Sequence, residues 1–246
     1  MRISKVIDGV YRISLAWSNV YLLWDGVVGW LIDSGLESDR QDLRSALREL
    51  HVEPSTIKAI VQTHAHCDHA GSAAYFQVEF GTELYCHEAE ARHLCEPKFS
   101  YGPHGTSALR HPFQALIYRS GEKIFPVERS ERCLAVQDDD VLHSPIGPLR
   151  VYHSPGHTAG HIALLRESDR LLFCGDAILT IVPNLIPALR KPGLSLPLRL
   201  FTPDWPMAIR SAAALAELKP TLLASGHGWP MTENTAATLS AWAART

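Results

Sequence analysis

Short apolar segments that lead directly into loops carrying histidine or aspartate are the feature that most constrains the fold. The first such segment, Ile57–Val61, has the pattern of a buried strand, and three imidazoles and one carboxylate follow it closely. His64 and His66 are alternate residues, so in an extended loop both side chains can face the same point. Asp68 and His69 fall on the next turn and can face a neighbouring point. This loop alone could supply ligands to two adjacent metal ions.

Three further candidate ligands, His157, Asp176 and His227, each follow a later apolar run of the chain. A glycine precedes each of them, and glycine permits tight turns and a close approach of the backbone. Any one of the three could be an ordinary polar loop residue. Taken with the first loop, they favour five histidines and two aspartates that converge at one edge of the sheets. Histidine is the commonest metal ligand, so this pattern predicts that five of the 13 histidines bind metal at one site.

Strands alternate with helices in both halves of the chain, and no linker separates the halves. This order predicts one layered α/β domain over residues 1–246, long enough to bury a substantial core. One helix is predicted after Ser38, because Ser38 and Gln41 have the spacing of a capping box. Two segments interrupt the alternation. An insertion at about 97–132 is interpreted either as a lid or as an ordinary surface excursion, and we expect a proline-rich segment at about 179–206 to border the pocket.

Composition excludes several functions and sets an expected compartment. Lysine and arginine number 23 against 26 aspartates and glutamates, which gives a net charge of −3 and no broad basic surface for nucleic acid. The five cysteines form no C-x-x-C pair, which favours reduced thiols and a cytoplasmic protein. Met1–Tyr11 lacks the apolar core of a signal peptide, and Ile178–Leu189 is too short and too interrupted to span a bilayer. We therefore expect a small-molecule substrate, with no nucleic-acid or membrane partner.

The run His64–His69 has the form H-x-H-x-D-H and is followed in order by a single histidine, an aspartate and a final histidine. In this pattern, over roughly residues 5–235, the chain resembles the metallo-β-lactamase superfamily. The resemblance implies an αββα sandwich, in which two mixed β-sheets are flanked by helices, with a two-metal site at one end of the sheets. It also implies a ligand set, in which the first ion is held by His64, His66 and His157, the second by Asp68, His69 and His227, and both by a bridging Asp176.

Nearby residues acquire expected roles from the same resemblance. Asp33 would orient a metal-bound histidine through a hydrogen bond, and His161 would support the site without being a ligand. Cys67, inside the motif, is interpreted as a residue at a variable position, with a redox-sensitive thiol as the alternative. His104 and His111 of the insertion are not expected to enter the pocket.

Ligands that are all imidazoles or carboxylates suit two divalent metal ions, with Zn²⁺ expected first and Fe or Mn as alternatives. Two such ions about 3.5–4 Å apart can share a water, lower its pKa and present a bridging hydroxide to a carbonyl centre. Asp68 would take the proton during turnover, so no serine or cysteine nucleophile is required. These inferences predict a dinuclear hydrolase of a small-molecule ester, lactone, thioester or related bond.

Three positions favour some branches of the superfamily over others. Asp176 stands where the β-lactamases of this fold lack a bridging carboxylate, which favours the thioesterase, lactonase and general hydrolase branches. Glyoxalase II has the same seven ligands, but few residues follow His227, so its glutathione-binding helical domain is expected to be missing. Leu179 stands where quorum-quenching lactonases have tyrosine, which weakens that assignment.

Two other functional classes are alternatives. A mononuclear iron persulfide dioxygenase would use a related ligand set with a single iron, and a non-catalytic metal-binding protein would show no turnover. The substrate is expected to carry an apolar group, because the two irregular segments contain many apolar side chains. The same side chains could instead pack the loops down or form a homodimer contact. They are Phe99, Tyr101, Phe113, Leu185, Ile186, Leu194, Leu196, Phe201 and Trp205.

Overall fold

The structure of the chain, a computed structural model, describes residues 1–96, 127–184 and 189–246. A seven-stranded sheet has its strands in the order β1 to β7. They are β1 (Arg2–Ile7), β2 (Val10–Ser14), β3 (Asn19–Trp24), β4 (Gly29–Ile32), β5 (Ile57–Val61), β6 (Glu83–His87) and β7 (Leu134–Val136). Strands β1 to β4 pair antiparallel and β4 to β7 pair parallel, so the sheet is mixed.

A second sheet has its strands in the order β14-β11-β10-β9-β8, and a separate hairpin pairs β12 with β13. These strands are β8 (Val141–Ser144), β9 (Gly147–His153), β10 (Ile162–Arg166), β11 (Leu171–Gly175), β12 (Leu179–Val182), β13 (Lys191–Ser195) and β14 (Leu222–Ser225). Strands β11 and β14 pair parallel, whereas β8 to β11 pair antiparallel. The second sheet is therefore also mixed.

In the part of the chain that the structure describes, helices pack on the outer faces of the two sheets. They are α1 (Arg40–Glu49), α2 (Cys67–Ala70), α3 (Ala73–Phe80), α4 (Glu88–Cys95), α5 (Trp205–Glu217) and α6 (Thr235–Ala243). Within the described ranges, none of the helices has both the length and the apolar character needed to cross a membrane.

Alternate residues of β3 face opposite sides of the first sheet and join two different cores. Leu22 packs with Leu43 of α1 between the sheet and its helices, whereas Leu23 packs with Phe173 of β11 between the two sheets. Strand β10 repeats this arrangement, because its alternate residues contact the core between the sheets and a third core beneath α5 and α6. Both faces of these strands are buried, so their sequences are continuous apolar runs. The layers are helix, sheet, sheet and helix, and the predicted αββα sandwich is confirmed.

The start of α1 differs from the prediction, and the capping box at Ser38 and Gln41 is wrong. A short 3₁₀ turn over Glu37–Asp39 precedes the helix, and the Asp39 carboxylate accepts the Leu36 N–H at 3.0 Å. The buried Asp39 therefore accepts the backbone N–H of the N-cap residue, which is the role that the prediction gave to Gln41.

The two irregular segments are described only in part. Residues 97–126, and with them the lid interpretation, lie outside the described residues, as do five of the nine apolar side chains expected near the substrate. Within the 179–206 segment, β12 and β13 form an antiparallel hairpin. Leu194, Leu196 and Trp205 pack in the core beneath α5 and α6. These three side chains therefore stabilise the packing of the segment itself.

The loops that carry the candidate ligands meet at one edge of the sandwich. There the Ile162 N–H donates to the Thr63 carbonyl at 2.8 Å, and the Asn19 N–H donates to the Gly226 carbonyl at 2.8 Å. Both bonds run from one sheet to the other. The edge is thus closed by backbone hydrogen bonds, which gives the loops a fixed spacing.

Candidate metal centre

Four loops bring the seven predicted ligands together. The loop after β5 continues into α2 and supplies four of them, and the loop between β9 and β10 supplies His157. The loops after β11 and β14 supply Asp176 and His227. Because β11 and β14 pair in parallel, their carboxyl ends lie at the same edge of the second sheet.

One cluster, which we call the three-histidine triad, consists of His64, His66 and His157. Their ligand atoms all lie within 4.8 Å of one another. His64 Nε2 is 3.1 Å from His66 Nδ1, and the ring of His157 is centred 4.6 Å from that of His66. Three convergent imidazole nitrogens suit zinc or another transition metal ion.

The second cluster, which we call the aspartate triad, consists of Asp68, His69 and His227. Its ligand atoms also lie within 4.8 Å of one another. Asp68 Oδ2 is 3.7 Å from His69 Nε2 and 3.6 Å from His227 Nε2, and the two imidazole nitrogens are 3.4 Å apart. This triad adds a carboxylate to two imidazoles. Its negative charge can therefore neutralise more of the charge of a bound cation than the first triad can.

The Asp176 carboxylate lies between the two triads. Its Oδ1 is 3.5 Å from His69 Nε2, while its Oδ2 is 3.0 Å from His227 Nε2 and 3.6 Å from His157 Nε2. The side chain is 7% exposed, so water contributes little to its solvation. A carboxylate in this position can contact a cation in either triad.

The ring nitrogens that face away from the centre have fixed partners. These pairs are His64 Nδ1 with Thr63 Oγ1 at 3.0 Å, His69 Nδ1 with Asp33 Oδ2 at 2.8 Å, His157 Nδ1 with Thr202 Oγ1 at 3.2 Å, and His227 Nδ1 with the Trp17 carbonyl at 2.7 Å. In each ring the Nε2 atom is left to face the centre. Such outer partners fix the tautomer and orientation of metal-binding histidines. The contact expected of Asp33 is therefore present.

Two buried atoms of the centre test whether a metal ion fits there. His157 Nε2 and Asp176 Oδ1 have no hydrogen-bond partner within the described part of the chain. Buried polar atoms are nearly always satisfied, by protein, water or an ion. Both atoms belong to the cluster of possible ligands, and imidazole nitrogen with carboxylate oxygen is a donor set for divalent cations. The residues present therefore fit a metal centre.

Burial controls the protonation of the three-histidine triad. It lowers the pKa of His64 and His157 well below the ordinary histidine range, and it lowers the pKa of His66 to about 4. The three rings are consequently neutral at pH 7. Neutral imidazole is the form that binds metal ions.

In the aspartate triad, nearby carboxylates raise the pKa of the histidines instead of letting burial lower it. Burial is the strongest influence on His69 and lowers its pKa, but Asp176, Asp68 and Asp33 together outweigh it and raise the pKa to about 10. Burial alone would also raise the pKa of the Asp176 carboxyl, yet His227 and His69 hold it well below its usual range. Carboxylates that hold a proton on a buried imidazole also attract a divalent cation, which would take the place of that proton.

The other residues singled out in the sequence have different outcomes. His161 has both ring nitrogens engaged, since Nδ1 is 2.8 Å from a serine hydroxyl and Nε2 accepts the Asp176 N–H at 3.0 Å. It therefore supports the loop that carries Asp176. Cys67 is half-buried in the first turn of α2, and its role stays a prediction. His104 and His111 lie outside the described residues.

Three of the residues that sequence reasoning missed hold whole loops of the centre in place. Thr202 contacts His157 from the proline-rich segment, Asn19 donates to the loop that carries His227, and Glu90 accepts N–H groups from two loops. Glu90 alone has a detectable signal. It lies one helical turn before Leu94, on the apolar face of α4, and acidic residues are almost never fully buried unless they are paired.

Comparisons with known proteins agree with this geometry. The model of the metallo-beta-lactamase superfamily matches residues 18–227. The probable metallo-hydrolase YflN of Bacillus subtilis is 28% identical over 236 residues, which cover 93% of this chain and 87% of that protein. Hydroxyacylglutathione hydrolase GloC of Haemophilus influenzae is 27% identical over 161 residues, covering 65% of this chain and 66% of that protein. The crystal structure of the metallo-beta-lactamase family protein TTHA1429 from Thermus thermophilus has a TM-score of 0.75 at 24% identity, covering 98% of this chain and 80% of that one.

A buried cluster of histidines and aspartates at the edge of an αββα sandwich defines a metal-binding hydrolase class. The chain belongs to the metallo-beta-lactamase superfamily. The prediction of a metal-dependent hydrolase is thereby confirmed at this level. The number and identity of the ions and the seven ligand assignments stay predictions.

Proposed function

We propose that the chain is a dinuclear metal-dependent hydrolase of a small-molecule ester, lactone or thioester. The position of Asp176 carries this proposal, because its oxygens lie 3.5 Å from His69 Nε2 and 3.6 Å from His157 Nε2 and so face both triads. A carboxylate placed in this way supports two ions that share a ligand. The proposed ligands are His64, His66 and His157 for one ion, Asp68, His69 and His227 for the other, and Asp176 for both.

When bound, a pair of divalent ions would supply an activated water and polarise the substrate oxygen. The chain itself supplies the proton acceptor. The Asp68 carboxylate is 24% exposed and lies 3.6 Å from His227 Nε2, so it reaches both the centre and the solvent side. The Ser18 hydroxyl donates to the Asp68 carbonyl and fixes the backbone of that residue. In this arrangement Asp68 takes a proton at its carboxylate and returns it to the leaving group.

Thioesters are the bond class that we favour, and the surface beside His227 supports a substrate with an apolar group and a negative charge. The Trp17 carbonyl contacts His227, and the Trp17 side chain is 37% exposed. The Arg190 guanidinium lies 5.1 Å from the centre of the Trp17 ring. This surface therefore combines an aromatic ring with a positive charge that lies over it. The name of the similar hydroxyacylglutathione hydrolase, itself a thioester hydrolase, supports the same bond class.

Metal analysis combined with a substrate panel tests the proposed function. We expect about two divalent ions per chain, loss of hydrolysis on chelation, and recovery when Zn²⁺ is returned. The panel contains esters, lactones, thioesters and phosphoesters. One iron per chain with oxygen consumption on a persulfide would establish a dioxygenase instead. Full metal loading without turnover of any substrate would indicate a non-catalytic metal-binding protein.

Trp17→Ala should raise KM about tenfold for a thioester with a long acyl chain and leave kcat unchanged. The variant loses about 1.5 kcal/mol of apolar contact with the acyl group, while the backbone carbonyl that holds His227 is kept. Steady-state kinetics with long-chain and acetyl thioesters of the same carrier measure the effect, and the acetyl substrate is the control. The same change in KM for both substrates would mean that Trp17 does not contact the acyl chain.

A further inference from the structure

The Glu90 side chain of α4 contacts two loops of the metal centre although it belongs to none of the possible ligand groups found among the described residues. Glu90 is 1% exposed. Its Oε2 atom accepts the Ala65 N–H at 3.0 Å, and its Oε1 atom accepts the Gly160 N–H at 2.7 Å. Each carboxylate oxygen is therefore committed to a different loop.

These two N–H groups lie beside the members of the three-histidine triad. Ala65 stands between His64 and His66, and Gly160 lies in the loop that carries His157. One carboxylate thus ties together the two segments that supply all three histidines. Hydrogen bonds to an ionised carboxylate are stronger than those between neutral groups. Here they oppose, in part, the rise in the Glu90 pKa that burial causes.

The shape of the site at Gly160 gives a second, independent observation. A Cβ atom at Gly160 would lie 2.8 Å from Glu90 Cγ and 2.9 Å from Glu90 Oε1. The backbone of Gly160 is not left-handed, so other residues could adopt its conformation. The close approach of α4, with Glu90 nearest and Ala89 Cβ at 3.1 Å, is therefore what favours glycine here.

The loop that carries His227 has a different anchor. The Asn19 Nδ2 group donates to the Ser225 carbonyl at 3.0 Å and to the Gly228 carbonyl at 2.8 Å. Like Glu90, Asn19 is buried and uses one planar side-chain group to make two backbone contacts.

Asp68 and His69 follow Ala65 in the same loop, but their backbone carbonyls are held separately. The Ser18 hydroxyl donates to the Asp68 carbonyl, and the Ser34 N–H donates to the His69 carbonyl. Each half of the centre therefore has its own polar anchors.

We propose that Glu90 is a positioning residue for the three-histidine triad and that it acts on this triad selectively. The proposal rests on the proposed function, because it requires a metal ion in each triad. Its consequence is that loss of the Glu90 carboxylate weakens one metal site and spares the other.

The test measures Co²⁺ affinity in two backgrounds, His227→Ala, which keeps the three-histidine triad intact, and His66→Ala, which keeps the aspartate triad intact. Glu90→Gln preserves the size of the side chain but presents an amide donor to one of the two N–H groups. We expect Co²⁺ binding to weaken roughly 10- to 100-fold in the His227→Ala background and to change within about twofold in the His66→Ala background. Asn19→Asp removes the two donors at constant size and should give the reverse pattern.

Competition with a chromophoric chelator gives the affinities, and the visible spectrum of bound Co²⁺ gives a separate readout of coordination. Equal weakening in both backgrounds would mean that Glu90 stabilises the fold generally, and no weakening would also overturn the proposal. Gly160→Ala presses on the same carboxylate without removing it, and it should show the same selective loss if Glu90→Gln does not fold. An unsubstituted chain that binds no Co²⁺ would instead refute the proposed function.

Discussion

Replacement of Asp176 by asparagine should lower kcat/KM about a thousandfold and reduce the metal content of the purified protein. The two side chains have nearly the same shape, so the change removes charge and one oxygen ligand without opening a cavity. A loss of this size corresponds to about 4 kcal/mol, which is in the range that a metal ion contributes to a hydrolytic transition state.

The surroundings of Asp176 explain why the effect should be large. The carboxylate faces His69, His157 and His227 at distances between 3.0 and 3.6 Å. Its ionised form persists there although burial alone would raise its pKa. Without this charge, no carboxylate lies between the two proposed cations, and their mutual repulsion is uncompensated.

Elemental analysis and steady-state kinetics of the Asp176→Asn variant provide the measurement, with thermal unfolding to verify the fold. Asp8→Asn is the matched control, because it removes the same charge from a side chain that is 98% exposed. The control should keep full activity and full metal content. If Asp176→Asn kept two ions per chain and normal kcat/KM, the bridging role would be wrong.

The convergence of the candidate ligands could be predicted because several of them lie at or shortly after the end of a strand. A strand end places His64, Asp176 or His227 at the edge of a sheet, and this local relation needs no knowledge of distant contacts. The anchors of these loops could not be predicted in the same way. Glu90 is 25 residues from Ala65 along the chain, and the separation of other anchoring pairs is larger still. Such contacts exist only after the two sheets have packed.

The hairpin of β12 and β13 shows a second limit of the sequence. Pro192 and Gly193 lie within β13, and both residues are unfavourable in a central strand. Among the described strands, β13 pairs only with β12, and much of its surface is exposed, so its sequence needs no continuous apolar pattern. The proline-rich composition therefore predicted irregular structure where β12 and β13 form an antiparallel hairpin.

Gly226→Ala should disable the metal centre by adding a single methyl group. A Cβ atom at this position would lie 2.3 Å from Asp176 Oδ1 and 2.8 Å from His69 Cε1. The backbone of Gly226 is not left-handed, so alanine fits its conformation and the effect comes from steric contact rather than from backbone strain. A displacement of about 1 Å in a catalytic group is enough to lower turnover roughly 100-fold.

Kinetics, metal analysis and thermal unfolding separate this local effect from a loss of fold. Gly29→Ala is the matched control, because a Cβ there would lie 2.6 Å from Ile57 Cδ1 in the apolar core. Overpacking lowers the free energy of unfolding by about 1–3 kcal/mol at either position, so both variants should unfold at a lower temperature. Only Gly226→Ala should also lose metal and activity. If it instead kept both, the loops after β11 and β14 would have room to separate, and the close packing at Gly226 would not be needed to position Asp176.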